Sequence, residues 1–182
     1  MHRLVFIGAS TGGPGHIKKI IRNLSSNTST SFIIAQHMHD EILKSFVSQL
    51  SNLTELAIYL AEDKTSIKPS SIYICKESLQ VSYKKNLFFL RAPKSRYTPS
   101  IDTLFQSAVR LIPQFEIIAI ILTGIGNDGA QGMQELYKKG AVCIVESQKS
   151  AKVYGMPKAA YEYSPKIETM HIDDIAKYLK NV

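Results

Sequence analysis

With 182 residues, 45% hydrophobic and 20% charged, the chain suits a single soluble domain with enough length for a real core. No apolar run approaches the roughly 18–20 residues of a membrane span, and strand-like residues begin at Leu4 with no signal-peptide pattern before them, so a cytoplasmic protein without membrane insertion is expected. The net charge of +7 is scattered in short clusters such as Lys84-Lys85 and matches no nucleic-acid module, so no nucleic-acid partner is expected.

Strand and helix signals alternate from the first residues. Val5–Ala9 reads as a strand, and Ile17, Ile20, Ile21 and Leu24 then fall at i, i+3, i+4 and i+7, one face of a helix with Pro14 near its start. A second strand spans Phe32–Gln36. Leu43, Phe46, Val47 and Leu50 repeat the helical spacing, and Leu56–Leu60 reads as a third strand. In the middle, Ile72–Cys75, Leu79–Tyr83 and Leu87–Leu90 are short strand-like pieces, with Lys84-Lys85-Asn86 as a hairpin turn, and this part reads as an antiparallel addition to the sheet edge. A helix follows from Pro99-Ser100, with Ser100 as N-cap, Asp102 in the first turn, and Ile101, Leu104, Phe105 and Ala108 facing inward.

Ile117–Leu122 is apolar throughout, as a strand covered on both faces is. Met133, Leu136 and Tyr137 mark the next helix, which Gly140 ends; Ala141–Val145 is another strand. Helices near Pro157–Tyr163 and Asp173–Lys180 close the chain. Cys75 and Cys143 form no disulfide framework, and Cys143 sits within an apolar run as a core residue. The pattern predicts a doubly wound α/β fold. Its mainly parallel sheet carries helices on both faces and a small antiparallel hairpin at one edge, in a single domain spanning 1–182.

Three polar residues stand where apolar runs give way to loops. Gly8-Ala9-Ser10-Thr11-Gly12 has the G-x-S-x-G spacing of a nucleophile turn between strand and helix. Taken alone it is a weak signal, since glycine-rich strand–helix turns are also structural or phosphate-binding. His37 ends the second strand, one crossover unit after Ser10, with His39 as a competitor further into the loop. Asp128 lies in Gly124-Ile125-Gly126-Asn127-Asp128-Gly129, where a turn also favours Asp. Loops at the carboxyl ends of parallel strands share one edge, so a nucleophile, a base and a group to orient the base are within reach of one another. The order Ser…His…Asp differs from the Ser…Asp…His of α/β-hydrolases, which leaves either a convergent triad or none.

The same Gly124–Gly129 loop matches G-x-G-x-x-G, with Glu146 about 20 residues on, as in a dinucleotide-binding unit. Asp128 opposes that reading, because its charge falls where a pyrophosphate must sit. The first loop is no Walker A motif, because no Lys-Ser/Thr follows its glycines.

Several segments together resemble the CheB-type protein-glutamate methylesterases of bacterial chemotaxis. They are Ile7–Pro14, Gln36-His37-Met38, Pro99-Ser100-Ile101-Asp102, Leu122–Ala130 and Val153–Pro157, in the family's order and over nearly the whole chain. The resemblance implies a serine hydrolase that removes methyl groups from glutamate γ-methyl esters on chemoreceptor helices, releasing methanol, and that deamidates certain receptor glutamines. It implies Ser10 as nucleophile, His37 as base and Asp128 as the orienting carboxylate, with no metal or cofactor. The backbone amides of Thr11 and Ile125 become oxyanion donors, Ile125 standing where relatives usually carry methionine. Gly12 and Met156 become candidate substrate contacts.

Two features depart from the family. No receiver domain is expected in 1–182, and Cys75-Lys76-Glu77-Ser78-Leu79 replaces a Pro/Gly-rich stretch ending in His. Two alternatives stay open: a nucleotide-binding module built on Gly124–Gly129, and a hydrolase of this fold acting on an ester outside chemotaxis.

Overall fold

In the computed structural model, which describes residues 2–182, the elements follow in order. They are β1 (Arg3–Ala9), α1 (Gly13–Asn23), β2 (Ser31–Gln36), α2 (Asp40–Ser51), β3 (Ala57–Ala61), β4 (Ser71–Cys75), β5 (Leu79–Tyr83), β6 (Leu87–Arg91), α3 (Ile101–Ala108), β7 (Glu116–Ile121), α4 (Ala130–Lys138), β8 (Val142–Glu146), α5 (Met156–Tyr163), β9 (Glu168–Met170) and α6 (Ile172–Lys180). Seven strands form one parallel sheet in the order β3-β4-β2-β1-β7-β8-β9.

The continuous apolar runs take the centre. Leu4–Ala9 and Ile117–Ile121 are buried along their length because both faces of the sheet are covered. On one face, Ile17, Ile20 and Ile21 of α1 pack with Leu43, Phe46 and Leu50 of α2 and Ile172, Ile175 and Leu179 of α6. On the other, Ile101, Leu104 and Phe105 of α3 join Met133 and Leu136 of α4, Met156 and Ala160 of α5, and the inner face of the hairpin. Ser100 caps α3 as expected, accepting a hydrogen bond from Thr103 N at 3.2 Å. Gly140, at φ 87°, follows α4 in the left-handed conformation that ends helices.

The middle of the chain differs from expectation in two respects. Ile72–Cys75 is no part of an antiparallel addition: β4 inserts in parallel between β2 and β3, and every one of its residues is buried. The hairpin is not a sheet edge either. β5 and β6 form a separate two-stranded antiparallel sheet, stacked on α3, with Val81 N donating to Ser107 Oγ at 2.8 Å. The burial patterns explain the split. β5 and β6 alternate buried and more exposed residues, so each has one inward face, which α3 covers. β9 escaped the sequence pattern because its residues are partly exposed to exposed and too few to show a period.

Candidate active site

The sheet order puts β1 and β7 side by side, yet α1 and α4, which follow them, pack on opposite faces. The carboxyl ends of these two strands are therefore a topological switch point, the position at which open α/β sheets bind ligands. Ser10 and the Thr123–Gly129 loop stand on its two sides. Backbone bonds carry the ladder one step past the strands: Ser10 N donates to Thr123 O at 3.0 Å, and His37 N to Ala9 O at 2.9 Å. The buried Gln36 ties the two loops together, its Nε2 donating to both Ser10 O and His37 O at 2.9 Å. Gly124 is the close-approach point; a Cβ there would lie 2.7 Å from Ser10 Cβ.

His37 and Asp128 are joined directly. The imidazole Nε2 lies 2.8 Å from Asp128 Oδ2, with the two side chains 15% and 1% exposed. Asp128 is held in turn by the start of α3: Ile101 N donates to Oδ2 at 2.8 Å and Asp102 N to Oδ1 at 2.9 Å. Free amides at a helix start are natural partners for a carboxylate. The ring of Tyr97 stacks on His37, centroids 5.2 Å apart and planes 3° from parallel, and Tyr97 Oη donates to Asn127 Oδ1 at 3.4 Å. Among the described residues the Ser10 hydroxyl makes no hydrogen bond, so its link to His37 is open here. Such contacts commonly tighten only around substrate.

The backbone beyond Ser10 presents donors. Ser10 O accepts from Gly13 N at 2.9 Å and from Gln36, so the planar trans peptide turns Thr11 N–H the opposite way. Neither Thr11 N nor Ile125 N donates a hydrogen bond among the described residues, and Ile125 is 62% exposed. The Ser10 amide is already taken by Thr123.

A base fixed by a buried carboxylate, a serine beside it and unpaired backbone N–H groups are the parts of acyl transfer through a serine ester. The family model described as CheB methylesterase matches residues 5–179. This chain belongs to the CheB methylesterase family. At 36% identity over 183 residues, it resembles protein-glutamate methylesterase/protein-glutamine glutaminase 2 of Carboxydothermus hydrogenoformans, covering 96% of this chain and 51% of that protein. The protein-glutamate methylesterase/protein-glutamine glutaminase of Bacillus subtilis is 34% identical, with 96% and 50% covered. The chain thus spans about half the length of the curated relatives it matches. The crystal structure of the Thermotoga maritima CheB methylesterase catalytic domain superimposes with a TM-score of 0.91 at 30% identity, covering 100% of this chain and 98% of that one.

Other expectations for this CheB-family chain fare unevenly. His39 is exposed at the N-cap of α2, away from the His37–Asp128 pair. Gly12 adopts φ 84° before α1, with Lys152 and Thr123 where its Cβ would be. Met156, a candidate substrate contact, is fully buried beneath Gly124, so its side chain supports the loop instead of facing a ligand. Glu146 points into no nucleotide site; it is buried and hydrogen-bonded to Thr123, His16 and Ser150. Burial pushes the thiols of Cys75 and Cys143 up to about 12, so neither is a nucleophile at neutral pH.

Among the described residues, no group of three or more His, Cys, Asp or Glu side chains is placed to hold a metal ion. No helix there is long and apolar enough to cross a membrane. Sequence reasoning missed Tyr97 and the use of the α3 amides; Asp102 in the first turn of a capped helix was the only hint of the latter.

Proposed function

We propose that residues 1–182 are a methylesterase catalytic domain that hydrolyses glutamate γ-methyl esters on the cytoplasmic helices of chemoreceptors, and that it also deamidates receptor glutamines. The bonded His37–Asp128 pair beside Ser10, in a chain matched from residue 5 to 179 by the CheB methylesterase family, carries this reading. Relatives at 34–36% identity are named protein-glutamate methylesterase/protein-glutamine glutaminase.

The mechanism follows from which imidazole nitrogen is occupied. Nε2–H donates to Asp128, so Nδ1 carries the lone pair and takes the Ser10 proton. Ser10 Oγ attacks the ester carbonyl carbon, and the oxyanion is held by the amides of Thr11 and Ile125. Protonated Nδ1 then gives its proton to the departing methoxide, which leaves as methanol. Water, deprotonated by the same nitrogen, attacks the acyl-serine and releases the glutamate carboxylate and free Ser10. With glutamine as substrate, ammonia takes the place of methanol. The charge of +7 favours an acidic partner surface.

The test is methanol release from methyl-labelled receptor membranes, wild type beside Ser10→Ala. Release by wild type alone supports the reading. Equal release by both removes Ser10 as nucleophile, and none by either removes the receptor ester as substrate of this domain.

A further inference from the structure

Glu146 is the least expected charged residue of the fold: a carboxylate at the end of β8 with no exposed surface and, among the described residues, no Lys or Arg partner. Its oxygens collect donors from three segments. Thr123 N donates to Oε2 at 2.8 Å and Ser150 Oγ to Oε1 at 2.8 Å, and His16 Nδ1 of α1 lies 3.1 Å from both oxygens. Ser150 Oγ also accepts from Ile172 N at the start of α6, at 3.0 Å. Burying a carboxylate is costly unless its hydrogen bonds are satisfied, and here they are.

What Glu146 holds is the residue that fixes the nucleophile loop. Every polar atom of Thr123 is engaged. Its N–H goes to Glu146, and its carbonyl accepts the Ser10 amide at 3.0 Å. Its Oγ1 donates to Thr11 O at 2.9 Å and accepts from Val153 N at 2.9 Å. Thr123 thereby grips peptide groups on both sides of Ser10, and Glu146 sets the height and rotation of Thr123. His16 adds a second hold, since α1 begins directly after the nucleophile loop.

We propose that Glu146, acting through Thr123 and braced by His16, is a positioning residue for Ser10 and the Thr11 amide. The kinetic consequence rests on the esterase reading above; the structural one does not. What matters is acceptor capacity and not charge. A glutamine keeps one carbonyl acceptor for Thr123 N–H and offers its amide to His16 Nδ1 in the other tautomer. Methionine has a similar size and neither capacity.

The experiment compares wild type, Glu146→Gln, Glu146→Met and Thr123→Val. It measures kcat and KM for methanol release, labelling of Ser10 by a fluorophosphonate, and hydrogen exchange at the Ser10 amide. Glu146→Gln is expected to retain most of kcat and the wild-type exchange rate. Glu146→Met is expected to lose about 100-fold in kcat at similar KM, the size of effect that a displacement of about 1 Å produces, with faster Ser10 exchange and slower labelling. Thr123→Val keeps the Thr123 N–H bond to Glu146 and removes only the Oγ1 contacts, so it tests the Thr123 part of the link and is expected to lower kcat; should Glu146→Met fail to fold, Glu146→Leu takes its place.

Equal kcat and equal Ser10 exchange in the Gln and Met variants, or in the Gln and Leu variants if the Met variant does not fold, overturns the proposal. If wild type itself neither releases methanol nor labels, the esterase reading falls, and the exchange comparison alone still decides whether Glu146 positions Ser10.

Discussion

His37 Nε2 lies 2.8 Å from Asp128 Oδ2, across 91 residues of sequence, and that contact dictates which nitrogen is left for chemistry. Because the Asp128 carboxylate accepts only, Nε2 carries the proton, and in the proposed mechanism Nδ1 is the base. Asp128→Asn reverses this. Ile101 N bonds Oδ2 and Asp102 N bonds Oδ1, so the amide oxygen of Asn keeps only one of them; kept by Asp102 N, it turns the NH2 group toward Nε2, and the proton moves to Nδ1. The expected result is an intact fold with kcat for methanol release reduced about 10,000-fold, the cost of a wrong tautomer. A loss of less than tenfold would mean that Asp128 does not set the tautomer.

Tyr97 meets the His37 ring by stacking, while its hydroxyl makes only a long bond to Asn127 at 3.4 Å. Tyr97→Phe is therefore expected to stay close to wild type. Tyr97→Ala frees the imidazole to rotate and is expected to lower kcat by about 10- to 100-fold with KM little changed. Steady-state kinetics of the two variants separate the roles; equal losses would assign the effect to the hydroxyl.

The parts of this site legible in the sequence are those set by local chemistry. Ser10 and His37 stand at the ends of strand runs and Asp128 in the loop after one, and a parallel sheet delivers such residues to one edge. The Ser100 cap and the Gly140 stop were equally local. What stayed hidden depended on distance. Tyr97 sits in a polar loop with no periodicity, and only the return of that loop over β2 makes it a neighbour of His37. Ser71–Cys75 and Leu79–Tyr83 look alike as short apolar pieces, yet one is buried on both faces and the other on one. Glu146 matched a dinucleotide pattern at the right spacing while its carboxylate serves the protein's own backbone.

Gly8, the first glycine of the nucleophile turn, is needed for a reason that its motif does not state. A Cβ there would lie 2.5 Å from Ile101 Cγ2, and one on Gly129 would lie 2.7 Å from the same atom. Ile101 is thus wedged between two glycines, and its amide is one of the two that hold Asp128. Gly8→Ala is expected to destabilise by about 1–3 kcal/mol through overpacking. Because it pushes the α3 amides off Asp128, it should also lower kcat. Ile101→Ala removes the clashing atoms, so the double variant should be destabilised by about 0.5–3 kcal/mol less than the sum of the two single changes in a double-mutant cycle. Simple additivity in urea denaturation would place the strain elsewhere.

Asp102 is expected to give the fold a pH dependence whose sign follows from its surroundings. Burial pushes its carboxyl above the usual aspartate range; the charge of Asp128 adds to this, while the amide of Gly132, donating to Oδ1 at 2.8 Å, opposes it. A carboxyl whose folded pKa is raised binds its proton more tightly when folded. Its contribution to stability is therefore fully present below the unfolded pKa and is lost as pH rises through the folded one. Asp102→Asn mimics the protonated form and keeps an acceptor for Gly132. The variant is expected to match wild type in Tm at acidic pH and to exceed it increasingly as pH rises through and beyond the ordinary aspartate range. Thermal melts of both proteins across that window provide the check. A constant Tm difference would show that folding does not shift this carboxyl, and one that favours wild type more as pH rises would show that the ionised Asp102 is a net stabiliser of the α3–α4 contact.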